Sequence, residues 1–302
     1  MRPQLQHALL AIGAGVVTAI VWNAAGSLVV GQSLPYKAPR TPDGQPDLNG
    51  FWQALNTANW DIEGGNPQAG PYTNLLGAYT AQPPGFSVVE GGAVPYKPEA
   101  LAAKKKRFEN RLKHDPLFGS GPSGNEEDLS DPEAKCFGGG GLVRATYMPY
   151  PSQLIQSRDK IFIAYQFGVA FRVVHMVARD GDLWDAIDDY AVDNDRWLGR
   201  SVGRWDGDTL VVYTKGPYYR SVTLDRAGNF MSPNARVIER YTPTTPNHLR
   251  YEATIEDPAT FTRPWKLSMP LYRIIDQPNM ELLEFECIPF VEEFMYGTLR
   301  KK

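Results

Sequence analysis

The chain has 302 residues, with 31 Lys and Arg against 34 Asp and Glu and a net charge of -3. That balance excludes a basic nucleic-acid surface and an acidic solvating tail, while 42% hydrophobic residues supply a sizeable core. The 28 Gly and 25 Pro punctuate the chain into short segments, which favours strands and loops over long helices.

Residues 1–31 stand apart. After Arg2, the run from Ala8 to Val30 carries no charge. As a helix it would measure roughly 34 Å, against a hydrocarbon core of about 30 Å. It reads as an uncleaved anchor touching membrane lipid through residues 8–30. The alternatives are a signal peptide, with Val29 and Gly31 small enough to precede a cut at Gln32, and a buried helix of a soluble domain. The first two readings put the remainder on the periplasmic side of the inner membrane, or free in the periplasm. Cys136 and Cys287 are the only cysteines. In an exported chain they read as a disulfide, with two buried thiols as the alternative.

Residues 32–135 read as an extended arm. Arg40 to Leu55, RTPDGQPDLNGFWQAL, holds turn formers at Pro-Asp-Gly, Pro-Asp and Asn-Gly ahead of Phe51-Trp52. These residue types are structural, and the arm is expected to plug a barrel end or add a strand to an open edge. PEALAAKKKRFENRLK, residues 98–113, predicts a helix: Pro98 suits its first position and Glu99 its positive end. The Lys104 to Arg107 run reads as a solvated helix face, with headgroup or partner contact as the alternative.

Residues 136–302 predict an antiparallel β domain. Nine short runs follow one another: QLIQS, KIFIAYQF, AFRVVHMVA, GRSVGRW, TLVVYTK, ARVIERYT, HLRYEATIE, PWKLSMPLY and MELLEFECI. RWDGDTL marks a tight hairpin between the fourth and fifth. The fold class is therefore all-β: a lipocalin-like antiparallel barrel, or a sandwich, with an N-terminal membrane or signal helix, an extended arm and one short helix.

Chemistry is sparse. GxSxG and HExxH are absent, and Gly138 to Gly141 lacks the Lys-Thr of a phosphate loop. The acids from Asp180 to Asp195 lack the spacing of a calcium loop. No metal or cofactor is expected. Of four histidines only His175 falls mid-strand, and alternation sets it on a face with Val173 and Val177, opposite Arg172, Val174 and Met176. His175 with Asp185 is the candidate acid–base pair. The sheet aromatics line a cavity for an apolar molecule or simply fill the core. Phe51, Trp52, Trp197, Trp205 and Trp265 are the candidate contacts to a ligand or partner.

PRTPDGQPDLNGFWQ, DPEAKC, WLGRSVGRWDGDTLVV, VIERYT, TIEDPATFTRPWKLSMPLYR and LLEFEC occur here in order. This chain resembles a largely uncharacterised family of exported bacterial proteins with RTPDGxPDLxGxW, GRWxGDTLVV and TxxDPxxxTRPW motifs. Many members carry a strand like "LHE…HD.R" where this chain has Ala164 to Arg172. Many also carry "CHEGN" where Cys287 is here followed by Ile288-Pro289-Phe290-Val291. The resemblance implies that polar positions of the relatives are apolar in this chain. The expected function is thus non-catalytic: an accessory subunit beside other membrane proteins, or a binder of an apolar small molecule. The alternative is a lyase, hydratase or isomerase working inside the barrel.

Overall fold

Alternation of apolar and polar residues builds the wall of a β-barrel. A computed structural model describes residues 36–70, 81–110, 131, 133, 136, 141–178, 180, 182–190, 198–216, 222–276, 278–288 and 291. The expected membrane segment 8–30 lies outside them. Among the described residues no helix is long and apolar enough to cross a membrane.

The strands are β1 (Gly50–Gln53), β2 (Ser152–Gln156), β3 (Lys160–Tyr165), β4 (Ala170–Met176), β5 (Arg200–Asp206), β6 (Thr209–Lys215), β7 (Val222–Thr223), β8 (Phe230–Met231), β9 (Arg236–Thr245), β10 (His248–Glu256) and β11 (Trp265–Arg273). Nine of them close a barrel in the order β1-β11-β10-β9-β6-β5-β4-β3-β2, and β7 and β8 form a separate ribbon. Among the described residues the α-helices are α1 (Pro98–Asn110) and α2 (Arg144–Tyr147).

The expectation of a barrel holds, with three corrections. MELLEFECI is not a strand: residues 280–288 run irregularly over the surface, with Phe285 against Tyr150 and Phe167. β1 holds the place beside β11 that this run needed, pairing Trp52 with Arg273 on one side and with Ser152 of β2 on the other. The division at 135/136 therefore cuts through the barrel wall. The third correction concerns direction, since β4 and β5 run parallel. Around a closed ring, strand direction must return to its starting value, so antiparallel pairs come in even number. Nine strands then require at least one parallel pair.

A parallel pair needs a crossover of a dozen or more residues. Here the crossover includes a 3-10 helix, Asp185–Tyr190. Its Leu183, Trp184, Ala186 and Ile187 bury against Val202, Tyr213 and Ile238 on the outer wall. The β5–β6 hairpin turns through Gly207 and Asp208, after the Asp206–Thr209 pair. Gly207 takes φ 59° as the first central residue of a type II′ turn.

The motif segments act as fasteners. Arg40 meets Asp208 of the hairpin turn at 2.5 Å. Asp47 accepts from the Asn49 N–H, and the Trp52 indole donates to the Leu48 carbonyl at 3.0 Å. Val89 bridges Leu267, on the stretch of β11 that β1 leaves open. The arm thus covers an edge that would otherwise template aggregation. Asp131 and Glu133 of DPEAKC hold buried Arg144. Burial alone would raise the Glu133 pKa, but Arg144 and Arg226 hold it below the usual carboxylate value. Asp257 of the TIEDP segment accepts from Ser232 and from the Phe261 N–H. The expected disulfide is present: Cys136 bonds Cys287 across 151 residues.

Candidate functional site

Register settles which side chains enter the barrel. Glu239 pairs with Val212, and Arg172 with Ile163, both on inward-facing rows. Arg172 and Glu239 therefore meet in the middle of an apolar interior. Arg172 Nη1 donates to Glu239 Oε2 at 2.5 Å, and Nη2 to Oε1 at 3.1 Å. The Tyr241 and Tyr251 hydroxyls donate to Oε1 at 3.1 and 2.9 Å. Burial alone would lower the Arg172 pKa, but the Glu239 carboxylate holds it well above the ordinary arginine value. Burial, then Glu239, pushes both tyrosines well up. Thr146 of α2 joins this cluster by hydrogen bonds to Tyr165 and Tyr241. The pair links β4 to β9 across the barrel. A buried pair of this kind is costly to break, because one charge is left uncompensated.

The parallel seam is short. Val174, His175 and Met176 pair with Ser201, Val202 and Gly203, and the ladder extends no further. Residues 170–173 of β4 thus part from the chain leading into β5. A cleft of about 520 Å³ occupies the gap. Its lining includes Phe171, Arg172, Val173, Leu198 and Arg200. Phe171, 61% exposed, stands at the surface, whereas Arg172, 3% exposed, belongs to the interior. The cleft thus lies at the barrel wall, bordered by exposed Phe171 and buried Arg172. Tyr165 hydrogen-bonds the Arg172 side chain, and among the described residues Arg172 Nε is a buried nitrogen with no well-aligned acceptor.

The sequence-derived candidates scatter. His175 lines this cleft and stacks on Tyr190, ring centroids 4.2 Å apart. Asp185 is exposed at the start of the 3-10 helix and does not line it. Trp52 is buried and fills the barrel beneath the Arg273 guanidinium, whereas Phe51 faces outward. Trp265 is buried edge-on against Phe261, and Trp205 is half-buried against the core. Trp197 lies outside the described residues. Among the described residues no cluster of ligating side chains suits a metal. Sequence reasoning passed over Arg172 and Glu239. A signal existed: each is a charge on the inward row of its strand, Arg172 with Val174 and Met176, Glu239 with Val237 and Tyr241.

A second opening lies where β11 loses its neighbour between β1 and Val89. Leu55, Phe86 and Pro270 flank this groove of about 850 Å³. Phe86 is 96% exposed and Leu55 66%.

Fold and site together define a closed nine-stranded β-barrel with a lateral cleft at its parallel seam. Comparison with family models, curated proteins and solved structures returns no match to this chain.

Proposed function

We propose that this chain is a membrane-tethered, extracytoplasmic, non-catalytic barrel that binds a small apolar molecule in the cleft between β4 and β5. The observation that carries the reading is the cleft itself, an opening of about 520 Å³ lined by Phe171, Val173, Ile187 and Leu198. That volume is in the range of small-molecule sites, about 300–1,000 Å³. The interior behind it is filled by side chains, so the ligand enters through the wall, where a lipocalin-like barrel would admit it at an end. Two further features support the reading. The Cys136–Cys287 disulfide suits an oxidising compartment outside the cytoplasm. The segment that departs from the resembled family, Ala164 to Arg172, contributes Gly168 to Arg172 to the cleft.

A second reading, an accessory subunit of a membrane complex, is favoured by the groove between Leu55 and Phe86. The occupant there would be another membrane protein presenting an apolar surface. Gentle extraction from the native membrane, followed by native mass spectrometry, separates the two. A single bound small molecule, lost in Ala170→Phe, is the expected result. Arrival in fixed ratio with other membrane proteins, with no small molecule retained, supports the subunit reading and sinks the first.

A further inference from the structure

We propose that residues 280–288 form a redox-released strap: the Cys136–Cys287 disulfide pins them over the turn between β3 and β4, and a dithiol that opens the bond frees the strap and lets the turn at the cleft rim relax. That turn is strained. Gly168 and Val169 both take the left-handed conformation, at φ 66° and 47°. A β-branched residue is rarely found there, and such a conformation persists only where its surroundings over-determine it. Part of those surroundings is the strap. The Leu283 N–H donates to Gln166 Oε1 at 3.2 Å. The Phe285 ring packs on Phe167 at 5.2 Å and on Tyr150 at 5.0 Å, and those two rings stack on each other at 5.5 Å. Gln166 and Phe167 thus take strap contacts immediately before the strained pair.

The far side of the turn is the cleft, which Gly168, Val169 and Ala170 line. One path therefore runs from the disulfide through Phe285 and Phe167 to the rim. Its anchored end is firm. Cys136 follows a turn closed on the Glu133 carbonyl, and Glu133 is held by Arg144 and Arg226. Cys136 itself sits at φ 62°, so the bond also fixes a backbone conformation that a non-glycine residue seldom keeps. Its strap end is light, because residues 280–288 belong to no helix or sheet. Both cysteines are half-buried, within reach of a small dithiol. One thiolate of the dithiol attacks a protein sulfur and expels the other. The second thiolate then closes on the mixed disulfide, which leaves two protein thiols and one oxidised dithiol. In an oxidising compartment the closed strap is the resting form.

The test is hydrogen exchange read by mass spectrometry on the full chain in mild detergent, before and after dithiothreitol. No ligand is needed, so the result is independent of what the cleft binds. Reduction is expected to speed exchange about tenfold or more in peptides spanning 280–288 and 166–170. The β10 and β11 ladders keep their protection, and reoxidation restores the first state. Phe285→Ala, with the disulfide closed, is expected to speed exchange in 166–170 by about threefold or more, which tests the path without breaking the bond. Faster exchange in 280–288 alone, or a turn indifferent to Phe285→Ala, overturns the coupling to the rim. Loss of protection throughout the barrel, or a disulfide that opens only in denaturant, makes the bond a staple of the whole fold and overturns the strap.

Discussion

The two sides of the barrel are built to different standards. On one side β10 pairs with β9 over nine residues and with β11 over eight. On the other, three pairs join β4 to β5. The long ladders bury Tyr251, Ala253, Ile255 and Leu267 completely, while the short seam leaves a cleft beside Phe171. Ring closure with an odd number of strands obliges the molecule to have a parallel joint somewhere. It places that joint where the opening lies, and keeps the extended ladders for stability. Regions that admit ligands are commonly drawn from the less stable part of a fold.

Arg172 and Glu239 tie the two sides together, and removing one partner is the severest way to break the comparison. Glu239→Leu leaves a buried guanidinium without its carboxylate and is expected to lose about 3–5 kcal/mol in urea denaturation. Adding Arg172→Met recovers part of that loss, because the stranded charge is gone. A single variant within 1 kcal/mol of wild type would show that the tie carries no stability.

Next in size is a titration in the loop between β7 and β8, outside both walls. Burial pushes the Asp225 carboxyl up to about 7, against hydrogen bonds from Ile62 and Asn229 that pull it down. The folded form then keeps a proton that the unfolded chain has already released. Its stabilisation is full below an unfolded pKa of about 3.8 and is lost as pH rises to about 7. The loss over that window is up to about 4 kcal/mol. Asp225→Asn is expected to flatten this part of the stability-versus-pH curve, and an unchanged slope would assign the proton elsewhere.

Gly203→Ala tests the seam directly. A methyl group there would stand 2.8 Å from Val174 Cγ1 and 3.2 Å from Met176 Sδ. It should push β4 from β5 and cost about 1–3 kcal/mol, read as a lower thermal midpoint. Equal stability would mean that the seam has slack to absorb it. The smallest effect belongs to an outer fastener. Arg40→Ala removes a partly exposed ion pair with Asp208 and is expected to change stability by less than about 1 kcal/mol. A larger loss would make the arm more than a cover for the barrel edge.

Eight of the nine runs read from alternation became strands of the barrel, because long strands with one face inward write a period of two into the sequence. MELLEFECI carries a similar pattern without a vacant strand edge to pair with. β1 is four residues long and sits among turn formers, too short for periodicity to show. The parallel direction of β4 and β5 was not legible, since alternation is the same in either direction; it follows only from counting strands around the ring. The site was missed for a related reason. His175 attracted notice as a titratable residue, yet Arg172 and Glu239 are the charges on inward rows. Only the register shows that they meet.

The disulfide has a topological consequence. Residues 136 to 287 form a covalent loop, and every strand except β1 lies within it. A protease cut at the exposed Gly207 turn leaves a nicked molecule of unchanged mass on a non-reducing gel. A cut between Gln53 and Cys136 frees β1 from the loop, and the barrel then depends on a non-covalent splint that a peptide or a second copy can replace.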